Sequence, residues 1–178
     1  MAFLQIDYKS EALMRGVNIK VILPSDGMAG KWEPPYKTLY LLPGYSATAT
    51  ELITYLGLRG QSELKGIAIV LPDGENLFYQ DLPDRMTFYS TYVGKELVEV
   101  TRKMLPLSTK REDTFIGGIS MGGYGALYNG FKYRDTFSKV VAFSPAADAC
   151  MLLAGPEAPG FSRAQFEGIF GNREAYYG

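Results

Sequence analysis

Histidine is absent from all 178 residues of the chain, and cysteine occurs once, as Cys150. A Cys/His metal centre and an internal disulfide framework are thereby excluded within this chain, and a single cysteine after an apolar run reads as inert. An excess of either charge is lacking too: 18 Lys and Arg stand against 19 Asp and Glu, with no basic tail. Electrostatic binding to nucleic acid or to an anionic membrane is not expected. No stretch approaches the ~20 apolar residues of a spanning helix, and Asp7 and Lys9 interrupt the N-terminal one. A soluble, cytoplasmic protein without a membrane span is the expectation.

What remains is globular composition, 47% hydrophobic and 21% charged, in a length that buries one sizeable core. Residues 1–178 are expected to form a single domain. No internal repeat or low-complexity tract interrupts it.

The apolar pattern predicts a strand over residues 17–23, paired antiparallel with one over residues 3–8. Residues 38–42 (TLYLL) and 67–71 (IAIVL) are short apolar runs, stopped by Pro43-Gly44 and by Pro72-Asp73-Gly74. Both read as buried strands with loops at their C-terminal ends. A helix is predicted over residues 49–58, and a later one carries Val93, Leu97, Val100 and Met104 on one face until Pro106 ends it. A strand over residues 114–118, a helix over 122–131 and a strand over 139–143 follow. Strand and helix alternate, so the fold class is α/β with a mainly parallel sheet. Residues 75–90 and 155–160 read as loops.

The last strand, Lys139-Val140-Val141-Ala142-Phe143, is apolar on both faces without an internal charge or proline, as an interior strand is. No clear strand follows to cover it. Either sequence is missing on the C-terminal side, leaving the sheet incomplete, or another chain covers that edge.

Gly118-Ile119-Ser120-Met121-Gly122 is a G-x-S-x-G motif between an apolar strand and a small-residue helix start. A nucleophile elbow needs this context: a tight strand-to-helix turn lifts the serine Oγ above the sheet, and near-bare flanking positions avoid collision. The Met121 N–H then heads a helix, where unpaired donors and the helix dipole favour an oxyanion. The other half of such a hole is expected from the loop after residues 38–42, with the Tyr45 N–H or its neighbour Gly44 as donor. The bland alternatives are a Gly-rich turn that packs helix on strand, or a phosphate cradle. A phosphate loop would want Lys after its second Gly, where Tyr124 follows Gly123, and no G-x-G-x-x-G occurs.

Other residues have a chemical and a structural reading each. Tyr45, Phe78, Tyr79 and Tyr124 line an acyl pocket or belong to the core. Asp148 mimics a triad acid or caps a helix. Lys110 and Lys132 have no sequence reason to approach Ser120. Asp73-Gly74-Glu75-Asn76 reads as a turn near the mouth of the site rather than as catalytic acids. Trp32 reads as a loop anchor.

On the stretches LYLLPGYS (39–46), IVLPDGENLF (69–78), REDTFIGGISMGGYGAL (111–127) and VVAFSP (140–145), the chain resembles the α/β-hydrolase esterases of the esterase D type. These include tributyrin, acetyl and feruloyl esterases and S-formylglutathione hydrolase. The resemblance implies carboxylic-ester hydrolysis of a small-molecule substrate through an acyl-enzyme on Ser120, without a cofactor or metal. Two departures stand out. Similar proteins carry His-Gly where this chain has Pro43-Gly44, and they draw their acid and general base from a C-terminal third that this chain does not contain. With no histidine to take the Ser120 proton, the chain alone is expected to be nearly inactive. The alternative is a non-catalytic relative that binds a small ligand, or forms a homo-oligomer through the bare sheet edge. A nucleotide-binding module is a third reading, and the glycine pattern speaks against it.

Overall fold

Alternating half-buried and exposed side chains build β1 (Ala2–Ser10), which pairs antiparallel along its whole length with β2 (Arg15–Leu23). In the computed structural model, residues 1–26, 31–155 and 161–171 are described. The loop expected over 155–160 lies outside them from residue 156 onward, as does the side chain of Cys150.

The apolar runs become β3 (Lys37–Leu42), β4 (Ile67–Pro72), β7 (Thr114–Ile119) and β8 (Lys139–Phe143). The sheet order is β1-β2-β4-β3-β7-β8, antiparallel across β1, β2 and β4 and parallel from β4 to β8. The predicted α/β class and antiparallel opening pair are both present. Among the described residues β8 is an edge strand, with Val141 and Phe143 exposed on one face.

One face of the sheet is covered by α1 (Ala49–Tyr55) and α2 (Leu58–Lys65), which bury Ala49, Leu52 and Leu58 against Ile22, Leu41, Ile69 and Leu71. A single helix over residues 49–58 was the expectation. Gly57 sits at φ 59°, breaks it, and starts the second helix; a left-handed residue cannot continue an α-helix. Thr48 caps α1 in a capping box with Glu51.

Residues 75–90 are not wholly loop. They hold a small hairpin of β5 (Asp81–Leu82) and β6 (Thr87–Phe88) before the helical turn α3 (Tyr89–Thr91). A π-helical stretch (Tyr92–Glu96) then leads into α4 (Leu97–Met104). The predicted face is consequently rotated: Leu97, Val98 and Thr101 are buried on α4, whereas Met104 is 47% exposed. The π turn takes up an extra residue, which a 3.6-residue reading cannot anticipate. Across the sheet from α1 and α2, the buried Tyr40 hydroxyl meets Thr101 Oγ1 at 2.9 Å. α5 (Met121–Lys132) follows β7 and packs on β7 and β8.

The chain divides into two compact units, Met1–Pro145 and Ala146–Gly178. In the second, Asp148 Oδ1 accepts the Met151 N–H at the start of α6 (Ala149–Ala154), and Ser162 and Gln165 form a capping box on α7 (Arg163–Phe170). No helix among the described residues is long and apolar enough to cross a membrane.

Candidate active site

Ser120 joins β7 to α5 with φ 55° and ψ −117°. This backbone region is nearly closed to L-residues, and holding one there costs on the order of 1–3 kcal/mol. The surroundings over-determine it: the Ser120 N–H donates to the Phe143 carbonyl at 3.0 Å, and its carbonyl accepts the Tyr124 N–H at 3.0 Å. The turn is tight enough that a Cβ on Gly118 would overlap the Gly122 carbonyl. A Cβ on Gly122 would in turn overlap the carbonyl oxygens of Leu42 and Pro43, so the loop after β3 lies directly on the elbow.

That contact brings the predicted oxyanion elements together. A Cβ on Gly44 would stand 3.5 Å from Ser120 Cβ, and Met121, only 1% exposed, opens the twelve-residue α5. Ser120 itself is half-buried. Further along the loop the amides turn elsewhere: the Ser46 N–H donates to Asn76 Oδ1 at 2.7 Å and the Ala47 N–H to the Gly44 carbonyl at 3.2 Å. Ser46 is held at φ 58°.

Tyr79 and Phe78 are each 1% exposed, which places both in the packed interior. The Tyr79 hydroxyl donates to the Pro43 carbonyl at 2.8 Å, and its ring fills the space over Gly74 and Gly125. Burial pushes that hydroxyl's pKa well above its ordinary value, so it remains a donor. Tyr124 is half-buried; its hydroxyl accepts from Gln80 Nε2 at 2.9 Å and its ring meets Phe78 edge-on. Tyr45 lines a cavity of about 350 Å³ with Ser46, Leu52, Tyr55, Leu56 and Ile119. Ile119 immediately precedes the serine, so this space adjoins the elbow. Its apolar wall, drawn from α1 and the end of β7, was not anticipated from sequence, where residues 49–58 read only as a helix.

The other candidates have structural partners of their own or stand apart from Ser120 on its own strand. Asp148 is exposed and caps α6. Lys132 donates to Asp81 Oδ2 at 3.0 Å and Ser90 Oγ at 2.8 Å. Lys110 precedes β7, at the opposite end of that strand from Ser120. Trp32 anchors its loop by donating to the Glu63 carbonyl at 2.7 Å. Asp73 accepts the Ala49 N–H at 2.8 Å, so with Asn76 it ties the loop after β4 to the loop after β3.

Residues 10–172 match the esterase family model described as "Putative esterase". An acetyl esterase of Caldicellulosiruptor saccharolyticus is 40% identical over 151 residues, 82% of this chain and 57% of that protein. The S-formylglutathione hydrolase of Paracoccus denitrificans is 28% identical over an alignment 192 residues long, gaps included, that covers 94% of this chain and 63% of that protein. Among solved structures, the substrate-bound fluorophosphonate-binding serine hydrolase F of Staphylococcus aureus superposes with a TM-score of 0.82 at 30% identity. That match covers 96% of this chain and 66% of the other. The chain thus spans less than two thirds of the length of these relatives.

Proposed function

The chain belongs to this esterase family, and from that membership we propose that it carries the nucleophile part of a serine carboxylic-ester hydrolase. The observation that bears most weight is Ser120 at φ 55° with the Gly44 loop against its Cβ. In this reading Ser120 Oγ attacks the ester carbonyl, and the Met121 N–H with the Gly44 or Tyr45 N–H receives the developing oxyanion. The alcohol leaves, the acyl group stays on Ser120, and water releases it as the acid. The cavity bordered by Tyr45, Leu52 and Ile119 would take an apolar part of the substrate.

The proton of Ser120 needs an acceptor, and no imidazole exists among these 178 residues. Loss of one member of such a catalytic unit costs on the order of 10⁴- to 10⁶-fold in rate. The chain by itself is therefore a slow enzyme, whose base must come from outside it. Hydrolysis of a short acyl aryl ester tests this: turnover is small, and Ser120→Ala removes what there is while leaving the fold intact. Equal turnover in the variant excludes Ser120 as nucleophile.

Among the described residues β8 has no further strand beside it, which favours a second reading, a non-catalytic relative that pairs with its own copy through that edge. A folded oligomer without Ser120-dependent turnover is its outcome; a monomer at all concentrations excludes it.

A further inference from the structure

The segment after β4, residues 73–79, meets the segment after β3, residues 43–49, at three points. Asp73 Oδ1 accepts the Ala49 N–H at 2.8 Å. Asn76 holds Ser46 twice, accepting its N–H at 2.7 Å and donating from Nδ2 to its Oγ at 3.3 Å. The Tyr79 hydroxyl donates to the Pro43 carbonyl at 2.8 Å from a fully buried position.

We infer that Tyr79 and Asn76 are positioning residues that clamp the Gly44-Tyr45 segment against Ser120. The inference rests on the ester-hydrolase reading above and assigns it two residues that act through the loop rather than on substrate. A trans peptide sets its C=O and N–H on opposite sides. Fixing the Pro43 carbonyl on Tyr79 therefore fixes where the Gly44 N–H points. Asn76 draws the Ser46 N–H to itself and holds Ser46 left-handed, at φ 58°, which sets the chain direction on the other side of Tyr45. The segment is thus pinned at both ends.

The clamp is itself braced. Phe78 and Tyr79 lie consecutively at φ 55° and 56°, a conformation that persists only when its surroundings enforce it. Asn129 on α5 donates from Nδ2 to the Tyr79 carbonyl at 3.2 Å, and the ring of Tyr79 occupies space that side chains at Gly74 and Gly125 would need. The helix that begins at the nucleophile thus also supports the residue that orients the facing loop. Pro43 has no N–H to offer a neighbour, and its carbonyl accepts the Tyr79 hydroxyl.

The test compares Tyr79→Phe, Asn76→Ala and Tyr40→Phe in this chain. Tyr40→Phe serves as the control, because it also deletes one buried hydroxyl bond, to Thr101, but away from the loop. Two quantities are read: the rate at which an aryl fluorophosphonate modifies Ser120 with imidazole supplied as base, by peptide mass, and the hydrogen-exchange protection of the segment 44–46. The inference expects Tyr79→Phe and Asn76→Ala to be modified on the order of 10- to 100-fold more slowly, since small misplacements of catalytic groups carry costs of that order. Protection of the segment falls in both, and Tyr40→Phe matches the parent in both readouts. A structural role alone would make the two Tyr→Phe variants alike, and that result, or parental rates in both clamp variants, overturns the inference. If Ser120 of the parent is not modified at all, the hydrolase reading falls and so does the catalytic role inferred here. Retained protection in the clamp variants removes the clamp whatever the rate shows.

Discussion

The amide of Ser120 donates to the carbonyl of Phe143 at 3.0 Å, so the candidate nucleophile is tied through one backbone bond to β8, the outermost described strand on its side of the sheet. The Phe143 ring beyond that bond is 56% exposed and borders an apolar groove of about 450 Å³ with Leu39, Leu41, Ile67 and Ile69.

If that edge joins two copies, Phe143→Lys will shift the chain toward monomer in light scattering at matched concentration, because an edge lysine opposes strand pairing. Modification of Ser120 will persist, since the Ser120 bond uses only backbone atoms of residue 143. Unchanged self-association in the variant would place any dimer contact elsewhere.

Gly122→Ala tests the contact between the elbow and the loop after β3. The added methyl would overlap the Leu42 and Pro43 carbonyls, and backbone cannot yield as a side-chain tip does. A loss of about 1–3 kcal/mol or more in urea unfolding is expected, together with loss of Ser120 reactivity. Parental stability would mean that the loop stands farther from α5 than it does here.

Alkaline stability follows from the buried tyrosines. Burial pushes the Tyr40 and Tyr89 hydroxyls up to about 12 and those of Tyr79 and Tyr92 well above their ordinary value. In the unfolded chain each ionises at about 10. Between those values the folded state keeps protons that the unfolded state has lost, so stability is intact below about pH 10 and falls as pH rises toward the folded values. Tyr40 alone contributes a loss on the order of 2 kcal/mol by pH 12. The urea midpoint should drop steeply above about pH 10 and less steeply in Tyr40→Phe. A midpoint level through that range would contradict the burial of these hydroxyls.

The strands and the elbow were legible in sequence because both depend on local pattern. Residues 38–42 and 67–71 are apolar runs stopped by Pro-Gly and Pro-Asp-Gly, and G-x-S-x-G between strand and helix needs only its own glycines. The break at Gly57 had a local signal that the apolar count obscured. The π turn at Tyr92–Glu96 had none, because it reflects packing of the whole helix. The role of Tyr79 was hidden for the same reason: its carbonyl partner on Pro43 lies 36 positions away in the chain. Asn76 read as a turn residue, and it does sit in a loop; what pattern could not convey is that its amide reaches another loop.

The most direct measurement is peptide-mass mapping after exposure to an aryl fluorophosphonate, with and without imidazole, on the parent chain and on Ser120→Ala. An adduct on Ser120 that forms slowly alone, speeds up with imidazole, and is missing from the variant is the predicted result. An adduct rate indifferent to imidazole, or equal labelling of Ser120→Ala at other side chains, would contradict a nucleophile that lacks only its base.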